Sequence, residues 1–213
     1  MSSNGGEGRA ALVTSLRRLA RGERTPVPGG ATEADEQCDI CGSGLASDHR
    51  HMLDVSERRI LCACEPCIAM KAGSGSYRRV GTRVLWLEGF ELADDLWARM
   101  QIPIGLAFFM YSSTVGGIVS LYPSPAGATE SELDLAAWDE LREANPILAG
   151  LEPDSEALIV DRTSEPHRYA IAPIDDCYRL VGMVKANWEG ISGGDAIERT
   201  LPGFFAELRE RAA

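Results

Sequence analysis

Apolar residues in this chain recur at helical spacing in some segments and in short, nearly continuous runs in others. Leu12, Leu16 and Leu19 share one side of residues 10–21 with arginines opposite, which predicts a short amphipathic helix. Residues 22–37 are rich in Gly, Pro and acid and read as a linker. Residues 49–55 and 59–62 then read as two strands of a hairpin, with the turn at Ser56, Glu57 and Arg58. Residues 65–72 have helical character, and Gly73-Ser74-Gly75-Ser76 marks a boundary. The expected organisation is a helix and linker over 1–37, a small module over 38–72 and a larger domain over 77–213.

In the larger domain, residues 83–87 predict a strand, and 91–100 a helix with Leu92, Leu96 and Met100 on one stripe and Trp97 beside it. Residues 103–111 and 115–122, joined through Ser112, Ser113 and Thr114, are almost wholly apolar, as central strands are. Pro123 and Pro125 are expected to close that sheet segment. Thr129-Glu130-Ser131-Glu132 fits a capping box, which predicts a helix running to about residue 144, where Asn145-Pro146 ends it. Strands are predicted at 157–161 and 168–172. Cys177, Leu180, Val181, Val184 and Trp188 give residues 176–188 a core-facing helical stripe. After the break at Gly190-Ile191-Ser192-Gly193-Gly194, a last helix runs to about residue 211. It turns Ile197, Leu201, Phe204, Phe205 and Leu208 inward, with a kink or restart at Pro202. Strands intermixed with helices and hairpins define an α+β fold whose sheet is at least partly antiparallel.

Length and composition narrow the setting. With 213 residues, 45% of them hydrophobic, the chain buries a substantial core. The net charge of −11 is unevenly placed: residues 1–83 carry 12 basic and 10 acidic side chains, so the rest carries −13. An acidic body repels nucleic acid and anionic lipid, which makes either an unlikely partner. No run approaches the eighteen or so apolar residues of a membrane helix, and Met1-Ser2-Ser3-Asn4-Gly5 opens no apolar signal core. A cytoplasmic protein is expected.

That setting changes the meaning of the cysteines. Five of six fall within thirty residues, as Cys38-Asp39-Ile40-Cys41 and Leu61-Cys62-Ala63-Cys64-Glu65-Pro66-Cys67. Two CxxC pairs 22 residues apart converge on one ion across a hairpin, and in a reducing compartment such spacing means metal rather than disulfide. The predicted ligands are Cys38, Cys41, Cys64 and Cys67. Cys64 is chosen over Cys62 because only Cys64 completes a CxxC with Cys67; Cys62 is then a neighbouring thiol or an alternate ligand. Four thiolates suit Zn(II), and rubredoxin-type iron uses the same set. Knuckle, hairpin and a helix whose first turn supplies the last ligands form a treble-clef or zinc-ribbon-like arrangement, too small to hold itself without metal.

Other chemistry is weaker. Cys177 lacks a triad pattern and reads as a core thiol. The 190–194 loop lacks the lysine of a phosphate-binding loop, and Asp94-Asp95 and Asp175-Asp176 sit where a helix dipole favours acid. Asp48-His49-Arg50-His51 resembles the Asp-His-x-His of treble-clef HNH nucleases of the recombination endonuclease VII type, over residues 38–70 only. In those enzymes a histidine activates water beside a divalent cation. The asparagine expected after the last metal cysteine is Ile68 here, so the resemblance implies at most a degenerate nuclease, with His49 and His51 on one face of a hairpin.

Several segments together carry a wider likeness: the Cys38 to Cys67 module, Asp48-His49-Arg50-His51, Tyr122-Pro123-Ser124-Pro125-Ala126-Gly127-Ala128-Thr129-Glu130, Asp176-Cys177-Tyr178-Arg179-Leu180-Val181-Gly182, and Trp188-Glu189-Gly190-Ile191-Ser192-Gly193-Gly194. Over residues 36–210 they resemble a family of bacterial proteins often encoded beside uptake [NiFe]-hydrogenase genes. The resemblance implies a zinc-binding accessory protein that contacts a hydrogenase subunit or assembly factor, or an iron electron carrier for a hydrogenase. It implies no catalytic residue.

Overall fold

The structure is a computed structural model that describes residues 36–188 and 194–212, the backbone alone over 194–199. The expected helix at 10–21, the linker up to residue 35, the break at 190–193 and the inward placement of Ile197 lie outside the described residues.

The cysteine module is built on a hairpin of β1 (Arg50–Asp54) and β2 (Arg59–Ala63), followed by α1 (Glu65–Lys71) and β3 (Tyr77–Arg79). The three strands are antiparallel in the order β2-β1-β3. Asp54 shapes the hairpin turn: its Oδ1 accepts from Ser56 Oγ at 2.7 Å, Ser56 N at 3.1 Å and Glu57 N at 3.2 Å. Side chains alternate across a strand, so the two faces of β1 have different duties. Met52 packs with Cys38, Ala63, Cys67 and Ile68 in a small core, whereas Leu53 joins the core of the larger domain.

That domain carries six antiparallel strands in the order β4-β9-β8-β5-β6-β7. They are β4 (Leu85–Trp86), β5 (Leu106–Ser112), β6 (Gly117–Ser124), β7 (Gly127–Ser131), β8 (Glu156–Asp161) and β9 (Arg168–Pro173). The sheet is covered on both faces, which explains the unbroken apolar runs in its central strands. Phe108, Met110, Ile159 and Ala170 pack with α4 (Ile174–Ala186) and α5 (Gly194–Arg211), through Cys177, Leu180, Val181, Leu201, Phe204 and Phe205. Their neighbours Ala107, Phe109, Leu158, Val160 and Ile171 face the other way. They meet Leu96 of α2 (Asp94–Arg99) and Ala137, Trp138 and Leu141 of α3 (Leu135–Ala144). Phe109 stacks on Trp138 with ring centroids 5.5 Å apart.

The fold is α+β, a four-cysteine module followed by a mixed domain, and four local expectations need correction. Residues 129–131 form the edge strand β7 rather than a helix start. The helix begins at Leu135, where Asp134 Oδ1 accepts from Ala136 N at 2.9 Å and Ala137 N at 3.4 Å. Pro123 does not close the sheet: it lies inside β6 opposite Ala128. The β5 ladder along β6 ends at Leu121, so the missing N–H of Pro123 falls where β6 pairs with β7 alone. Val115 belongs to the turn before β6, and α5 runs through Pro202 without restarting.

Candidate metal centre

Each pair of cysteines is presented by a local turn. At the first, Gly42 N donates to Cys38 O at 2.8 Å and Cys38 N to Ser43 O at 2.8 Å, with Gly42 at φ +76°. This knuckle folds Cys41 back toward Cys38, and Gly42 holds it because a left-handed φ costs glycine little. At the second, Cys64 is the N-cap of α1, and Pro66 in the first turn is preset for a helix start. Cys67 thus returns to the same side one turn later. The two knuckles are tied by Asp39, whose N–H donates to Cys62 O while its carboxylate accepts from Cys62 N, each at 2.8 Å.

The structure brings Cys38, Cys41, Cys64 and Cys67 together, all four Sγ atoms within 4.8 Å of one another. Cys41 Sγ and Cys64 Sγ are 3.7 Å apart. A tetrahedron with metal–sulfur bonds of about 2.3 Å has edges of about 3.8 Å, so the donors fit one tetrahedral ion. They do not fit a disulfide, whose sulfurs sit about 2.05 Å apart, and all six cysteines are free. Cys38 and Cys67 are buried, Cys64 is intermediate and Cys41 is exposed.

The thiols do not ionise alike. Burial opposes the Cys38 thiolate most, yet backbone hydrogen bonds at Cys64, Cys41 and Ile40 outweigh it and bring this thiol down to about 6. The Ser43 hydroxyl and backbone lower Cys41. Burial, and then the neighbouring Cys64, Cys41 and Cys38, push Cys67 up to about 12. The set therefore sheds its first proton readily and its last with difficulty. A bound cation would supply the positive charge that lets four thiolates share the space.

Cys62 stands elsewhere. Its register partner is His51, and it groups with His49 and His51, one ligand atom from each lying within 4.8 Å of the others. The two imidazoles meet edge to face at 4.8 Å between centroids. His49 Nδ1 is 2.9 Å from Ala46 O, and His51 Nδ1 is 2.9 Å from Asp175 Oδ2 at the start of α4. The sequence placed Asp175 at a helix start but did not reveal its pairing with His51, which lies 124 positions away. Cys177 is fully buried in the core with α4 and α5, and burial raises its thiol well above the ordinary value, as fits an inert core group. Ile68, at the position where the nuclease pattern places asparagine, is buried in the module core. Asp94 pairs with Arg162, and Asp176 holds Arg179 and Arg211, so both acidic pairs have structural work. Among the described residues no helix is long and apolar enough to cross a membrane.

Fold and site define a protein with a four-thiol, zinc-ribbon-like module set on a sheet that is helix-covered on both faces. The chain belongs to a family of unknown function, DUF5947, whose pattern matches residues 37–212 and so spans module and sheet together. No curated protein and no solved structure matches it.

Proposed function

We propose that this protein is a zinc-stabilised cytoplasmic accessory protein that supports [NiFe]-hydrogenase assembly, maturation or function by docking on a hydrogenase subunit or assembly factor. The observation that carries the zinc reading is the closed set of four thiols at tetrahedral spacing. Four protein ligands leave no position for substrate, so the ion holds the module together instead of performing chemistry. The hydrogenase link rests on the sequence resemblance over residues 36–210. The acidic body is consistent with a protein partner rather than nucleic acid.

A second reading places iron in the same four-thiol site as a one-electron carrier. The exposure of Cys41 favours it, since one edge of the centre reaches the surface where an electron would cross. Elemental analysis and a visible spectrum of protein purified without added metal separate the two. One zinc per chain without visible absorbance supports the first, and thiolate-to-iron bands support the second. For the partner, deletion of the gene in its host is expected to lower hydrogen uptake, with rescue by the wild-type chain and not by Cys67→Ser. Unchanged uptake overturns the hydrogenase link.

A further inference from the structure

A second group of ligand-type side chains gathers on the other face of the hairpin. Met52 and Cys67 pack together in the module core, whereas Leu53 and Ile60 face the larger domain. His51 lies two residues from Leu53 and directly opposite Cys62, on the face turned toward α4. One ligand atom from each of His49, His51 and Cys62 lies within 4.8 Å of the other two.

The histidines are held as metal-bound histidines are held. Such a residue donates one ring N–H to a carbonyl or carboxylate and offers the other nitrogen to the ion. His49 Nδ1 faces the Ala46 carbonyl, and His51 Nδ1 faces the Asp175 carboxylate. With Nδ1 of each ring facing an acceptor oxygen, Nε2 is the nitrogen that each ring would offer to an ion. The His49 side chain is 7% exposed, and its Nε2 is buried with no hydrogen-bond partner. Leaving a buried polar nitrogen unpaired is costly, and coordination of an ion would remove that cost. Glu36 lies 3.3 Å from His49 Nδ1, and Asp39 accepts from Cys62 N, so the surroundings favour a cation. A cleft of about 470 Å3 lined by Asp48, His49, Arg50 and Cys64 borders the histidine.

We infer that His49, His51 and Cys62 form a second metal site, separate from the four-thiol centre, which takes a first-row transition cation of the Zn(II) or Co(II) type. Two imidazoles and one thiolate suit such ions and not the oxygen-seeking Mg(II) or Ca(II). Three protein ligands leave a fourth position for water or a small ligand, as in catalytic zinc sites. The module thus pairs a closed centre on one face of the hairpin with an open one on the other.

The full chain, stripped of metal and titrated with Zn(II), tests this under non-denaturing mass spectrometry. Wild type is expected to bind two equivalents, and Cys62→Ser and His51→Gln one each. Co(II) added after the first zinc equivalent is expected to give a thiolate-to-cobalt band of one-thiolate intensity in wild type and none in Cys62→Ser. The single zinc retained by Cys62→Ser, with unchanged circular dichroism, reports that the module is folded. Saturation of wild type at one equivalent overturns the second site while leaving the four-thiol centre standing. Two equivalents in Cys62→Ser also overturn it. Absence of zinc from every form overturns both centres.

Discussion

His51 Nδ1 and Asp175 Oδ2 lie 2.9 Å apart and join the first strand of the cysteine module to the first turn of α4 in the larger domain. Both side chains are mostly buried, and the carboxylate raises the His51 pKa, as a partner that stabilises the imidazolium does. A hydrogen bond to a charged group contributes about 1.5–3 kcal/mol. Asp175→Ala is therefore expected to speed amide hydrogen exchange in β1 while the centre of the six-stranded sheet stays protected. The same change is expected to weaken the His49/His51/Cys62 site by about 10–100-fold, the usual effect of losing the carboxylate behind a ligating histidine. Titration with Co(II) reads the affinity. Asp175→Asn, which keeps an acceptor oxygen, should fall between the two.

If the four-thiol site holds an ion as proposed, its removal is expected to unfold one part of the molecule first. Among the described residues, the buried members of the module core are Cys38, Met52, Ala63, Cys67 and Ile68, two of them predicted ligands. Ion binding in such small sites contributes apparent free energies of about 10–16 kcal/mol at neutral pH. Cys67→Ser, or treatment with a strong chelator, should collapse the backbone NMR dispersion of residues 38–72. The signals of β5, β8 and β9 should persist, because Phe108, Phe109, Leu158 and Ile159 pack between helices without help from the ion.

Ligand spacing made the four-thiol centre legible, since a CxxC places both sulfurs within one turn and needs no knowledge of the fold. Central strands were legible for a related reason: residues 106–110 and 157–160 are apolar on both faces and both faces are covered. The partner of Cys62 was not legible, because it depends on register. A three-residue turn at Ser56, Glu57 and Arg58 pairs Val55 with Arg59 and puts Cys62 opposite Met52. The observed turn also includes Val55, so Asp54 pairs with Arg59 and Cys62 with His51. One residue of slip exchanges the faces of a strand. Cys62 and Cys64, two positions apart, serve different sites because β2 ends at Ala63 and Cys64 caps a helix. The pattern at Thr129-Glu130-Ser131-Glu132 misled since a capping box is a local signal, whereas β7 is set by pairing with β6.

Asp161 is fully buried at the end of β8. Its carboxylate accepts from Thr163 N at 2.9 Å, Thr163 Oγ1 at 2.6 Å and Arg168 Nε at 2.7 Å. Arg168 lies in turn over the Phe205 ring, 4.4 Å from its centroid, so the pair links the sheet to α5. Removing one member of a buried ion pair costs about 3–5 kcal/mol because the other is left uncompensated. Asp161→Ala is expected to lower stability by that amount in urea unfolding, with metal content unchanged. Asp161→Asn, which still accepts from Thr163, should cost less.

Asp54 gives the module a dependence on acid that is separate from its metal. Hydrogen bonds from the Ser56 hydroxyl and the Glu57 and Ser56 backbone hold its carboxyl below the ordinary value of 3.8, against the opposing effect of burial. A depressed carboxyl pKa binds fewer protons in the folded state, so its stabilisation is present above the unfolded value and is lost as pH falls through the folded one. At pH 7 Asp54→Asn, which keeps an acceptor oxygen but not the charge, is expected to be less stable than wild type by about 1 kcal/mol. The gap should hold down to about pH 5 and close as pH falls below 3.8. Thermal unfolding of the two forms across that range reads the gap directly. Loss of metal in acid affects both chains equally and cancels in the difference. A gap that stays constant from pH 7 to pH 3 would mean that the Asp54 charge does not stabilise the turn.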